Sequence, residues 1–250
     1  MREILRYVDG PAVASGAADK LLAHLSSLLR SQSVVHLSIT GGSLGILTLS
    51  KISQHPLRDS IDWQRIHIWW GDDRFVTEDS PDSNALQAYQ ALLFQLDLDP
   101  AKVHLFPVLN PKSLDSVTLQ LESAVYAFNK IVAKFANPRT GFVDFDVTLL
   151  GMGPDGHVAS LFPGHATPIS GVSIIAEHNS PKPPAQRISF TYEAICNSIE
   201  VWFLVAGADK ASAVDVAFSP EPQRLPVGRI SGKQKTIWFL DEAASAGLRV

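Results

Sequence analysis

Four apolar runs of this chain each end on a turn rich in glycine or acid: "ITGGSLG" at 39–45, "GDDRF" at 71–75, "GMGPDGH" at 151–157 and "AGADK" at 206–210. Helical patterns lie between such runs. Residues 11–31 carry Ala14, Ala18, Leu21, Leu22, Leu25, Leu28 and Leu29 at three- and four-residue steps, the period of a helix. Repeated strand-then-helix order argues for an α/β fold, a mostly parallel, doubly wound (Rossmann-like) sheet with helices on both faces. Ligands of such sheets bind outside the carboxyl ends of the strands. All four turns sit at those ends, so the chain order points to a site before any single residue does.

The same pattern predicts strands over 33–39, 65–70, 102–106, 145–153, 172–178, 187–192, 200–207 and 235–241. Helices are predicted over 44–53 with Ser43 as cap, 82–94 from an Asp/Ser cap signal, 112–135, and 209 to about 218. "PEPQRLPVG" (220–228) reads as an extended linker, and the proline-bearing segments near 181–184 and 220–226 as surface loops. A chain of 250 residues suits one α/β domain over 1–250, with room for a small β-containing lobe within 165–190.

Apolar residues make up 46% and charged residues 18%, enough for a large core and too few charges for disorder. The net charge of −4 gives no general attraction to nucleic acid or acidic membranes, so an anionic ligand must be held by local cations and backbone N–H groups. The single cysteine, Cys196, excludes an internal disulfide and sits in the apolar setting of a buried structural thiol. "MREILRYVDG" is not a signal peptide, and no run approaches the ~18 apolar residues of a membrane span. The expectation is a cytoplasmic protein, a monomer or weak dimer, with a small-molecule substrate and neither nucleic-acid nor membrane partners.

Gly41, Ser43 and Gly45 spell G-x-S-x-G, the string of a hydrolase nucleophile elbow. That fold places its catalytic histidine late, and here the last one is His178, with two strands still to come. The alternative for Gly41, Gly42 and Ser43 is an anion cradle, in which paired glycines admit a close ligand to the N–H groups of the next helix. A tight turn without ligand is the plainer option.

His157 stands on a glycine turn at a strand's carboxyl end, where an imidazole can face a cleft and take a proton near neutral pH. Asp155, two residues earlier, is placed to orient it or merely to cap the turn, and Gly156 between them offers a backbone N–H. Arg74, flanked by Asp72 and Asp73 in "GDDRF", is an anion ligand held by carboxylates or part of a solvated acidic loop. Arg187 starts a strand. Lys210 sits in the first turn of a helix, where it opposes the macrodipole unless an anion binds there. Taken singly, Arg187 and Lys210 read as surface cations; as one strand-end set they are candidates for a phosphate clamp, bidentate and point-like respectively.

With "TGGSLG", "DDRFV" followed by "PDSN", "GMGPDGHVASLFPG" and "GADK" in this order over about residues 37–240, the chain resembles the 6-phosphogluconolactonase family, related to glucosamine-6-phosphate deaminases and ribose-5-phosphate isomerases. The family pattern has S-G-G-S-T-P where this chain has Thr40 and Leu44-Gly45, and Glu where it has Asp73, which leaves the role of Asp73 open. The resemblance implies hydrolysis of 6-phospho-D-glucono-1,5-lactone to 6-phosphogluconate in the oxidative pentose phosphate pathway, with no cofactor and no metal. Neither zinc-spaced Cys/His clusters nor dinucleotide or P-loop glycine motifs occur. Catalysis is expected from His157 and Asp155, and substrate binding from Gly41, Gly42, Ser43, Asp72, Arg74, Gly156, Arg187 and Lys210. The rival chemistries are a sugar-phosphate isomerase or deaminase using an acid of the 71–75 turn as base, and a non-catalytic sugar-phosphate sensor.

Overall fold

The structure, a computed structural model, describes residues 1–166 and 170–248. Along the chain run β1 (Arg2–Tyr7), α1 (Gly10–Ser31), β2 (Val35–Ile39), α2 (Gly42–Ser53), β3 (Ile66–Trp70), β4 (Asp72–Arg74), α3 (Asn84–Ala91) and α4 (Val117–Ala133). There follow β5 (Val147–Gly151), β6 (Ile174–Glu177), β7 (Arg187–Phe190), α5 (Tyr192–Cys196), β8 (Glu200–Val205), α6 (Ala211–Ala217) and β9 (Lys235–Asp241). Among the described residues, six strands form one sheet in the order β1-β9-β8-β5-β2-β3, every pair parallel, and β4-β7-β6 form a small antiparallel sheet.

Both faces of the large sheet are covered, as a parallel sheet requires. All six residues of β8 are buried. Its alternating side chains meet different helices: Trp202 packs against His24 of α1 and against Phe239, whereas Phe203 packs on Trp238, which meets Phe218 just beyond α6. Helix α1 buries Val13, Ala14, Ala17, Ala18, Leu21, Leu22 and Leu25 on one stripe, and Asp9 caps it by accepting from the Ala12 N–H.

Some local expectations are corrected. The N-terminal run is an edge strand, β1, paired along its length with β9. "KVHLF" is no strand: a 3₁₀ turn at Pro100–Lys102 precedes it, and only Val103 bridges to Ile68. The 71–75 turn contains a strand, β4, and the small sheet therefore draws on residues outside 165–190. Ser43 does not cap α2; Gly41 occupies that position, without a side-chain cap. The 220–228 segment is two 3₁₀ turns, each opening on a proline whose fixed φ suits a helix start.

The outer β2–β3 edge carries a column of aromatic rings. His36 and His67 are cross-strand neighbours stacked at 4.5 Å, His67 Nδ1 lies 2.8 Å from His104 Nε2, and Trp69 stacks on His104 at 3.7 Å. Burial, reinforced by the His67 charge, pushes both His36 and His104 down to about 4. Their unfolded value lies near 6.5, so their stabilising effect is full above that pH and is lost as pH falls toward 4. Thermal melts should therefore show Tm falling across this window, and His104→Gln should flatten the fall; equal pH dependence in both proteins would contradict this.

Candidate active site

In the large sheet the chain steps from β2 outward to β3, then returns to β5 on the other side of β2 and continues to β8 and β9. That reversal opens a crevice at the carboxyl ends of β2 and β5, the place where such sheets bind ligands. A cavity of about 520 Å³ lies there. Gly41, Gly42, Ser43, Asp72, Arg74, His157, Arg187 and Lys210 all line it, so segments distant in sequence do converge.

The glycines of the first turn have separate steric reasons. A Cβ on Gly41 would lie 1.9 Å from Asn84 Oδ1, one on Gly45 would lie 2.7 Å from the Thr40 carbonyl oxygen, and Gly42 has φ +76°. Only glycine meets these demands cheaply. No side chain caps α2, so the N–H groups of its first turn are left to solvent or to a ligand. With the helix dipole they form a ready seat for an anion. Ser43 is exposed, and no histidine or carboxylate among the described residues is hydrogen-bonded to it.

β4 sorts its acids by strand alternation. Asp72 and Arg74 point to the cavity, while Asp73 points to α3 and accepts from the N–H groups of Arg74, Asn84 and Ala85 and from Ser83 Oγ. Burial pushes Asp73 up to about 6, against the pull of those backbone bonds. Asp73 therefore holds the start of α3 in place, and with it Asn84. Asn84 donates to the Asp72 carbonyl at 2.9 Å and accepts from Arg74 Nη1 at 2.7 Å. Asp72 accepts from Ser160 Oγ at 2.6 Å.

Arg187 is buried; its Nε and Nη2 donate to the carbonyls of Pro184 and Lys182. Burial lowers its pKa, which still leaves a guanidinium charged at neutral pH. Lys210 pairs with Asp209, so its conflict with the helix start is already offset within the turn. The Lys210 hydrogen bond holds Asp209 below the ordinary carboxylate range.

At the β5 turn, His157 Nδ1 lies 2.5 Å from Asp155 Oδ1. The carboxylate assigns the proton to Nδ1 and leaves the Nε2 lone pair free. The imidazole is only 15% exposed. Burial lowers its pKa, Asp155 partly offsets this, and the ring is neutral at pH 7. Against the upward push of its own burial, the His157 contact holds Asp155 low. The turn is tight: a Cβ on Gly153 would lie 2.1 Å from the imidazole. Gly156 does not line the cavity; its φ of +78° and the approach of Leu225 give it a structural place in the turn. Asp155 likewise stands behind His157 and not on the cavity wall.

Residues 9–238 match the family model described as glucosamine-6-phosphate isomerases/6-phosphogluconolactonase. The chain belongs to this family. A 6-phosphogluconolactonase of Streptomyces coelicolor is 39% identical over 98% of this chain and 94% of its own length, and one of Mycobacterium leprae is 36% identical over 96% of each. The crystal structure of the Thermotoga maritima 6-phosphogluconolactonase superposes with a TM-score of 0.79 at 25% identity, covering 96% of this chain and all of that one. Among the described residues no helix is long and apolar enough to cross a membrane, and no group of three or more His, Cys, Asp or Glu is placed to hold a metal ion.

Sequence reasoning missed Asn84 and Lys182, which line the cavity, and Ser160, which stands behind Asp72 and donates to it. Asn84 closes the quoted "PDSN", read there only as a helix start. Lys182 lies in the loop "NSPKPPAQ", where nothing local separates a lining lysine from a solvated one. Asn84→Ala should loosen Arg74 and raise KM about tenfold, the cost of one hydrogen bond to a charged group, and should also lower Tm, because the buried amide satisfies the Asp72 carbonyl. Unchanged kinetics in that variant would remove the Asn84–Arg74 contact from substrate binding.

Proposed function

We propose that this chain hydrolyses 6-phospho-D-glucono-1,5-lactone to 6-phospho-D-gluconate in the oxidative branch of the pentose phosphate pathway, with His157 as general base. One observation carries the reading: a neutral, carboxylate-oriented imidazole and an uncapped helix N-terminus flanked by cations open into the same cavity. The 6-phosphoryl group sits on the α2 amides with Arg187 and Lys210, and Arg74 lines the sugar's path. This seating brings C1 to His157.

His157 Nε2 takes a proton from water as the water oxygen bonds to C1, and the carbonyl electrons move onto its oxygen. The tetrahedral oxyanion collapses, the bond from C1 to the ring oxygen breaks, and the imidazolium returns its proton to that oxygen. One water is consumed, and the new acid releases a proton to solvent. An activated ester needs no covalent intermediate, and positioning supplies much of the rate. The isomerase or deaminase alternative needs a carboxylate free to take a carbon-bound proton. Asp73 is tied to the start of α3 and is turned away from the cavity. Asp72 faces the cavity, and release of ammonia or a ketose instead of the acid would favour that alternative.

The experiment is a coupled assay on freshly generated lactone with spontaneous hydrolysis subtracted; a rate equal to the blank overturns the proposal. His157→Ala should lower kcat by about 10²–10⁴-fold, the usual worth of a general base. Because His157 must be neutral and burial lowers its pKa, kcat/KM should rise with pH to a midpoint below 6.5, then level off. A midpoint above that value would contradict the assignment. Arg187→Ala and Lys210→Ala should each raise KM about ten- to a hundredfold, with kcat less affected, as lost charge-assisted contacts do.

A further inference from the structure

Among the described residues four lysine or arginine side chains line the cavity, and three are engaged. Arg74 and Arg187 donate to carbonyl oxygens, and Lys210 pairs with Asp209. The fourth, Lys182, has no hydrogen-bond or ion-pair partner for its Nζ among the described residues, although its backbone is pinned. Its carbonyl accepts from Arg187 Nη2 and from Ser180 Oγ, both at 2.9 Å, and its N–H donates to Ser180 Oγ at 3.2 Å. Prolines on both sides fix the neighbouring φ angles. The long side chain thus springs from a stiff base at the cavity mouth.

Its charge reaches two turns. Lys182 lines the same cavity as His157, and its charge opposes protonation of that base and favours ionisation of Asp209. Of the four cations lining the cavity, Lys182 alone has an ammonium without a protein partner among the described residues, which leaves it available to the new negative charge that the proposed reaction creates. We infer that Lys182 is a catalytic residue whose ammonium meets the charge forming at C1, first the oxyanion and then the product carboxylate. This rests on the lactonase reading. Its charge also adds to burial in favouring the neutral, proton-accepting form of His157.

The test compares wild type, Lys182→Met and Lys182→Arg in the lactone assay across pH. It adds calorimetric binding of 6-phosphogluconate and of glucitol 6-phosphate, which carries a hydroxymethyl group in place of the carboxylate. Lys182→Met should lower kcat about tenfold to a hundredfold with little change in KM, less than a buried oxyanion donor because the lysine is exposed. The acid limb of its pH profile should move to higher pH. Binding of 6-phosphogluconate should weaken about tenfold while that of glucitol 6-phosphate holds, and Lys182→Arg should recover most of the loss. Equal weakening of both ligands makes Lys182 a phosphate contact and overturns the inference. So does an active wild type beside an unaltered Lys182→Met. A wild type without lactonase activity overturns the underlying function and the C1 assignment together.

Discussion

Parallel register is the constraint on which this site depends. Because β2, β5 and β8 all run the same way, their carboxyl ends lie on one rim, and the turns that follow them must meet there. The reversal of strand order beside β2 then separates the turn into α2 from the turn bearing His157, which leaves room for a ligand between them. An antiparallel sheet of the same strands would send alternate turns to opposite edges, and no pocket would gather them.

A second layer of order comes from the small sheet. β4 is three residues long, yet its pleat sends Asp72 and Arg74 to the cavity and Asp73 to the start of α3. Opposite it in antiparallel register, Arg187 stands across from Arg74. Two guanidiniums so placed repel one another, and the structure spreads their charge over the carbonyls of Asp82, Pro184 and Lys182 and the Asn84 amide. The cations are thereby preorganised before substrate arrives, so less ordering cost falls on binding. Electrostatics at the other end work by opposition. Burial and Lys182 push His157 toward neutrality, while Asp155 and Asp72 pull the other way. The outcome is an imidazole that is neutral at physiological pH but still basic enough to accept a proton.

Much of this was legible in the chain. Glycine-rich turns after apolar runs predicted the sheet type and most of the cavity wall, since strand-end turns in a parallel sheet have nowhere else to go. Short elements escaped. β1 carries charged residues and half-exposed positions typical of an edge, and β4 hides in an acidic run whose strand character comes only from pairing with β7. The functional sorting of Asp72 from Asp73 was likewise invisible, because one residue's shift along a strand reverses its direction. Gly156 read as a ligand contact because sequence cannot separate a glycine needed for a close ligand from one needed for a tight turn. Lys182 was hidden for a related reason: its place depends on how a proline-bounded loop folds back over the rim.

The claim at the centre is spatial: the phosphate lies at the α2 N-terminus and the reacting carbon lies at His157. A crystal structure of the chain with 6-phosphogluconate bound tests it most directly. The account predicts phosphate oxygens on the amides of the first turn of α2, and the C1 carboxylate facing His157 Nε2. A product bound in the opposite sense, with its phosphate against the imidazole, would contradict it.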